Sequence, residues 1–490
     1  MIFFLSCFFI TVLVIFLYSD VRRPKNYPPG PQWIPIVGNL FQFKKLLGIL
    51  GYHHLVWQEL YDRYGEIVGT KLGRKLVVTV FGEEAVTQVL TREEFEGRPD
   101  GFFFRVRTFG KRQGLVFCDG NLWKKQRKFS VQRLKKFGYG GKLMLENVEG
   151  EAKYLMETFL EKSSEPIYMH DAFDVSVVNV LWMMIAGERF ALGDARLKKL
   201  MTLIHDAFKI TDMSGGILNH MPFLRFIAPN SCGYNKVVNL TNRISDFLEE
   251  TIQSHKNYAN DGHPRDLIDA FLEEMKSEND ETFTEEQLIS TCIDLLMAGS
   301  ETTSNTLSFA VIYMLEYPEV MEKVQIELDD VVGRNGSPRL SDTGRLPYTN
   351  AVLKEIQRLT NVPPVGIAHR AVKTAELLGY TIPEDTILIT SLYSVHMDPK
   401  TWKDPFIFRP ERFLGEEGAN IRDKSFLPFG YGKRQCLGIS LAKANYFLFF
   451  VSLLHSFNLE KAAGGPLPDL KGIDGITLSP KPFTVKLTPR

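Results

Sequence analysis

Residues 426–442 read FLPFGYGKRQCLGISLA. Phe429, Gly432, Arg434, Cys436 and Gly438 stand in the pattern F-x-x-G-x-R-x-C-x-G, and an apolar stretch with helical character follows. A lone cysteine is ordinarily an inert, buried hydrophobe. Here glycines let the backbone turn tightly around it, and free amides with an approaching helix N-terminus favour thiolate over thiol. Arg434, two residues earlier, can hold a carboxylate. A thiolate beside a carboxylate-binding arginine suits an iron porphyrin, whose edge carries propionates.

The rest of the chain is consistent with a protein built around such a group. Of 490 residues, 44% are hydrophobic and 12% aromatic, enough to bury a large core and too many for a disordered chain. Lys plus Arg equals Asp plus Glu at 58 each, so no basic excess points to nucleic acid as a partner. Five cysteines, an odd number, make no disulfide framework and fit a reducing compartment.

Residues 2–18 (IFFLSCFFITVLVIFLY) form an uncharged apolar run. At ~1.5 Å per helical residue it spans ~25 Å, the short end of a bilayer crossing. Basic residues follow the run (Arg22, Arg23, Lys25) rather than precede it, which predicts a retained anchor over residues 1–20 with the bulk facing the cytosol. Residues 21–38, with Pro28, Pro29, Gly30 and Pro31, predict a stiff hinge, and 39–490 the globular part. The sequons at Asn239 and Asn335 then stay unglycosylated.

Helical periodicity dominates, as in residues 146–162 and 317–332, and short β-branched runs such as KLVVTVFG and GYTIPEDTILIT predict a few strands. The expected class is mainly α with small β-sheets. Residues 257–287, the most polar stretch, predict a solvated helix–loop–helix. Residues 439–457 are apolar nearly all round but interrupted by Lys443, Asn445 and His455, which predicts a buried core helix rather than a second span.

Thr284 and Gln287 predict a capping box opening a helix that runs to about Glu316, ahead of Pro318. Its middle, AGSETTSNT (298–306), is soft: a helical glycine costs ~0.5–1 kcal/mol against alanine, and the hydroxyls compete for backbone bonds. Something flat pressing on Gly299 accounts for it, with Glu301 and Thr302 opening a polar notch for protons.

With these motifs in order, the chain resembles the cytochrome P-450 family of haem-thiolate monooxygenases along essentially its whole length. The proline-rich segment is similar to the microsomal hinge, and Ala298–Thr303 to the oxygen-activation motif of the long central helix. Glu355 and Arg358 match the E-x-x-R pair, and Pro410–Phe413 the next motif, whose Arg412 completes a structural triad.

The resemblance implies that Cys436 is the axial ligand of haem b. Thr302, with Glu301 beside it, organises water and delivers protons during oxygen activation. Trp123 and Arg127, four apart on one helical face, point at one propionate, and Arg98, His369 and Arg434 join them. Presumed haem contacts running from Arg98 to Cys436 make one catalytic domain behind the anchor, although the length alone suggests roughly three.

Between Lys124 and Lys136 lie seven basic residues and no acid. Near the haem edge and close to Lys433, this run predicts a dock for an acidic electron donor, which the family supplies as NADPH–cytochrome reductase. The chain itself carries no nucleotide-binding signature, so NADPH acts only through that partner. The family's variable segments place Phe102, Phe103, Phe104, Phe117, Phe208, Leu295, Ala298 and Val365 around an apolar pocket. Nothing charged on the central helix invites an ionic substrate, so a lipophilic molecule from an endoplasmic-reticulum membrane is implied, to be hydroxylated or epoxidised. GYHHLVWQEL and FEGRPDGFFFRVRTFGKR are similar to insect microsomal members that epoxidise methyl farnesoate in juvenile-hormone synthesis. Xenobiotic or steroid hydroxylation, an isomerase on the same fold, and a haem sensor are the alternatives.

Overall fold

The long helix around which the chain is built follows from an apolar sequence that leaves few polar positions. In the computed structural model, which describes residues 2–210, 214–257, 263–276, 281–462 and 469–490, it spans Glu285–Glu316. Leu288, Cys292, Leu296, Phe309, Ala310 and Ile312 are fully buried, as expected of a helix apolar on most faces. Thr284 caps it, its hydroxyl accepting from the Gln287 amide at 3.2 Å. Only half of the expected capping box forms. The Gln287 side chain bonds both the amide (3.0 Å) and the carbonyl (3.2 Å) of Gly114, binding a loop to the helix instead.

Helices Asp174–Ala186, Tyr234–Asn257, Pro347–Thr360 and Ile439–Ser456 pack around this axis. The last is the expected core helix: Phe449, Val451 and Leu454 are sealed from solvent, exposed Lys443 faces out, and His455 bonds the Gly333 carbonyl. The Ile2–Asp20 helix is the opposite case, with Phe4 78% and Phe9 68% exposed and no core against it. Within the polar 257–287 stretch a helix forms at Leu267–Met275, capped by Asp266; 258–262 and 277–280 lie outside the described residues.

Among the described residues three small sheets complete the mainly helical fold. The largest orders its strands Ile67–Leu72, Lys75–Val80, Ile387–Thr390 and His369–Arg370. Ile67 pairs with Val80 antiparallel, Val77 with Ile387 parallel, and His369 with Leu388 antiparallel, so the sheet edge carries one of the expected haem contacts. The proline-rich segment docks on this sheet and is not a free spacer. The Gly69 amide donates to Pro29 at 2.7 Å, the Tyr27 hydroxyl bonds the Thr70 and Val77 carbonyls, and Trp33 is 9% exposed. A Cβ at Gly69 would lie 2.6 Å from the Pro28 carbonyl oxygen, so glycine is what lets the two backbones meet. Burial of Tyr27 and Trp33 overrides the extended stiffness of the prolines.

Candidate active site

The cysteine loop is shaped by its backbone. The Cys436 amide donates to the Phe429 carbonyl at 3.0 Å, closing the loop just before the Ile439–Ser456 helix. Gly432 has φ +73°, and a Cβ there would come within 2.2 Å of the Leu90 carbonyl oxygen, so only glycine fits. Cys436 remains accessible. Burial nevertheless pushes its thiol up, with the Gly438 amide and Arg127 pulling the other way. The Gly438 amide and the Arg127 guanidinium thus favour the thiolate, the direction the sequence predicts for this loop, against the pull of burial.

Beside this loop three guanidiniums gather without a counter-charge. Arg98 donates to the carbonyls of Val116, Ile367 and Ala368, Arg127 to that of Gln435, and Arg434 to that of Cys118. Every one of these acceptors is neutral. The nearby Asp119 is taken by Arg112 (2.6 Å) and Arg370 (2.9 Å). Arg434 keeps Nε and Nη2 buried with no partner, its guanidinium stacked 3.7 Å from the centre of the Trp123 ring. Burial, helped by Arg127, brings the Arg434 pKa down to about 10. Burial and Arg434 likewise lower Arg98. His369, depressed by burial and Arg98, gives its Nδ1 hydrogen to the Phe95 carbonyl at 2.7 Å. Sequence reasoning named all five of these residues, and the structure brings them together.

A second buried cluster has a carboxylate at its centre. Glu355 accepts from Arg358 Nε (2.8 Å) and Nη2 (2.9 Å), from Arg412 Nε (2.9 Å) and from the Arg409 amide (3.0 Å). Five further guanidinium hydrogens go to the carbonyls of His396, Pro405, Trp402, Asp404 and Ile407. His396 extends the network: one ring nitrogen bonds Asn361 at 2.8 Å, and Nε2 accepts from the Leu427 amide at 2.9 Å. The triad thereby reaches the start of the cysteine loop through a histidine that sequence reasoning missed.

On the central helix, Ala298 is exposed and Thr302 and Thr306 partly so, a stripe of four-residue spacing on an otherwise buried rod. Thr302 Oγ1 donates to Ala298 at 2.9 Å, leaving its lone pairs to the open side. Glu301 does not share that side. One residue turns a helix by ~100°, and Glu301 is buried, with Oε1 3.1 Å from Asn305 and Oε2 3.1 Å from His205, which also meets Asp174 at 3.2 Å. Burial pushes Glu301 up, whereas Asp174 and Glu301 outweigh burial to raise His205. The side-by-side acid–threonine notch is therefore corrected. A Cβ at Gly299 would lie 2.4 Å from Leu181, so the glycine lets the Asp174–Ala186 helix pack close to this turn.

The pocket residues divide. Phe104 and Phe117 stack at 4.8 Å near the central helix, and Leu295 and Val365 are buried at 9% and 8% exposure. Phe102 faces elsewhere, 4.2 Å from the Arg225 guanidinium and against Tyr234; Phe103 joins the same satellite cluster, and Phe208 the main core. Asp294, unnoticed in sequence, is a charged group on the central helix. It is neutralised by Arg107 and by the amides of Leu115 (2.7 Å) and Val116 (2.8 Å), pinning their loop. In the basic run, Lys124, Lys128, Lys135 and Lys136 are exposed on the Gly120–Lys136 helix. Lys433 does not add to them, because Glu93 (2.6 Å) and Glu96 (3.1 Å) neutralise it.

Comparison with known proteins agrees with this geometry. The sequence model of the family described as Cytochrome P-450 matches residues 28–487. The "Farnesoate epoxidase" of Bombyx mori is 42% identical over 479 residues, covering 97% of each chain. "Probable cytochrome P-450 305a1" of Drosophila melanogaster is 39% identical, covering 99% of each, and "Cytochrome P-450 2J5" of Mus musculus 36%, covering 98% of this chain and 95% of its own. With its cysteine loop, buried triad and nearly full-length match, the chain belongs to the cytochrome P-450 family.

Proposed function

We propose that the protein is a membrane-anchored, haem-thiolate monooxygenase that epoxidises a farnesoate-type sesquiterpenoid. The observation that carries the haem part is the trio Arg98, Arg127 and Arg434, whose guanidiniums, among the described residues, donate to neutral carbonyls, with two Arg434 nitrogens left without a partner near Cys436. Buried cations without carboxylates require an anion, and haem propionates meet that need. When bound, thiolate-ligated haem supplies the activation of O2, one atom entering the substrate and the other leaving as water.

The chain's own residues do the rest. Cys436 offers sulfur to the iron, whose charge favours the thiolate. Trp123, Arg98, Arg127, Arg434 and His369 hold the propionates. Thr302 accepts from and orients a water on the open stripe, with Glu301, tied to His205 behind it, as the proton store. The Glu355–Arg358–Arg412 network and His396 keep the loop in place. Ile2–Asp20 anchors the protein in the endoplasmic reticulum membrane with its body facing the cytosol, and Lys124, Lys128, Lys135 and Lys136 receive an NADPH-dependent reductase.

The substrate comes from the Bombyx mori relative's name, from the apolar Phe104–Phe117 wall and from the absence of a free charge on the central helix. NADPH- and reductase-dependent oxygen uptake with methyl farnesoate, farnesoic acid, steroids and fatty acids tests this reading. The expected result is epoxide in near-equal amount to NADPH consumed. Turnover of steroids alone favours the hydroxylase alternative, and rearrangement without reductase favours an isomerase. In Thr302→Ala, product per NADPH should fall several-fold while the haem spectrum stays unchanged; undiminished coupling contradicts the assigned role.

A further inference from the structure

The last residue of the Ile2–Asp20 helix is bonded to residues further along the chain at three points. Lys71 Nζ donates to the Asp20 carboxylate and to the Asp20 backbone carbonyl, each at 2.6 Å, and the Ile36 amide donates to the other carboxylate oxygen at 2.6 Å. A helix leaves its final carbonyls without intrahelical partners and gathers partial negative charge there, so an ammonium suits this end. Both side chains are largely sealed from solvent, Lys71 at 7% and Asp20 at 11% exposure.

Lys71 is held in place by its backbone. Its amide donates to the Asn39 side chain at 3.0 Å, its carbonyl accepts from the Asn39 amide at 2.6 Å, and its strand, Ile67–Leu72, pairs with Lys75–Val80. Among the described residues, Asp20 is the only carboxylate within ion-pair distance of this ammonium. A buried ammonium needs a paired charge, and the body takes this one from the end of the apolar helix. The chain between them folds back on itself. Arg23 donates to the carbonyls of Gly30 and Pro31, and Trp33 lies 5.6 Å from both the Arg23 guanidinium and Lys71 Nζ. Residues 20 to 36 can span ~50 Å when extended, yet Ile36 returns to Asp20.

Exposed apolar residues gather round the same place. Ile36 is 46% exposed and Phe41 63%. Gly73, at the end of the Lys71 strand, donates to the Val37 carbonyl at 3.1 Å, and a Cβ there would lie 2.3 Å from the His220 carbonyl oxygen. The segment that His220 belongs to carries Phe226 and Ile227, 76% and 74% exposed. Apolar side chains from separate segments, continuous with the end of a membrane helix, fit lipid better than water.

We infer that Asp20 and Lys71 form a clasp that fixes the body to its anchor in one pose on the bilayer, with the face carrying Ile36, Phe41, Phe226 and Ile227 turned to the lipid. The inference rests on the anchor reading above and goes beyond it, because the anchor then orients the body as well as retaining it.

The test uses the full-length holoprotein in aligned phosphatidylcholine bilayers and compares the wild type with Asp20→Ala, Lys71→Met and the double variant, all with intact reduced-CO spectra. Linear dichroism of the haem band reads how uniformly the body is oriented, and hydrogen exchange reads the Ile36 amide. The wild type should show strong dichroism, and each single variant should lose most of it while staying on the membrane through an alkaline carbonate wash. The double variant buries no unpaired charge, so it should fold even where a single variant does not, and it should lose as much dichroism. The Ile36 amide should exchange at least about tenfold faster in Asp20→Ala, as for a lost charge-assisted bond. Wild-type dichroism in the double variant, or a wild type without dichroism, would overturn the clasp. A wild type that alkaline carbonate strips from the bilayer overturns the anchor reading instead. The clasp is then decided by exchange alone, and it fails if Asp20→Ala leaves the Ile36 rate unchanged.

Discussion

Two clusters of arginine flank the cysteine loop, Arg358 and Arg412 sealed from solvent, Arg127 and Arg434 half-buried beside the buried Arg98, and they differ in what answers their charge. Arg358 and Arg412 share the Glu355 carboxylate and give further hydrogens to backbone carbonyls, so each guanidinium meets an opposite charge. The guanidiniums of Arg98, Arg127 and Arg434 donate, among the described residues, to carbonyls rather than carboxylates, and they press on one another. A buried charge that the protein neutralises is architecture. One left unneutralised, at a site the chain nonetheless keeps folded, marks where an anion belongs.

The contrast breaks most sharply at Glu355. Glu355→Gln removes the only carboxylate between two buried guanidiniums, a change costing ~3–5 kcal/mol, against a total stability of ~5–15 kcal/mol for a typical domain. Thermal unfolding and haem content should both collapse. Arg434→Met should do the reverse to the haem-free protein, since it relieves repulsion: its melting temperature should hold or rise. Haem should then transfer to an acceptor protein at least about tenfold faster, as expected for a lost charge-assisted bond. A haem-free Arg434→Met that melts well below the wild type would show that the two clusters are alike.

A smaller effect separates the clusters by pH. His396, at the end of the Glu355 network, has its pKa pushed down to about 3 by burial and Arg358, from about 6.5 when unfolded. The unfolded chain then binds the extra proton, so this stabilisation is full above pH 6.5 and is lost as pH falls toward 3, by up to ~1.4 kcal/mol per unit. His255 runs the other way. Its pairing with Asp266 raises it to about 8 against the pull of burial, so its contribution is full below pH 6.5 and fades as pH rises through 8. Urea midpoints measured between pH 7 and pH 5 should fall in the wild type and fall less in His396→Gln.

Much of this was legible in sequence because it is local. The loop glycines, Cys436 and Arg434 lie within a few residues, and the 439–457 helix declared its burial by being apolar all round. What escaped is set by rotation or by distant chain. The central helix is buried on nearly every face, so periodicity carries no phase to show that Glu301 turns from Thr302 toward His205. Asp294 and His396 are single residues whose partners lie 179 and 31 positions away. Lys433 looked free until Glu93, some 340 positions earlier, closed on it. Phe102 offered composition but no direction, and only its Tyr234 and Arg225 contacts show which way it faces.

The most direct test of the central claim changes the anion and leaves the protein alone. Haem-free protein is titrated with haem and with haem dimethyl ester, whose propionates carry no charge, and Cys436 ligation is read from the reduced-CO spectrum. The wild type should bind the ester at least tenfold more weakly, and Arg434→Met should narrow that gap by weakening haem alone. Equal affinity of the wild type for both porphyrins would contradict the assignment of Arg98, Arg127 and Arg434 to the propionates.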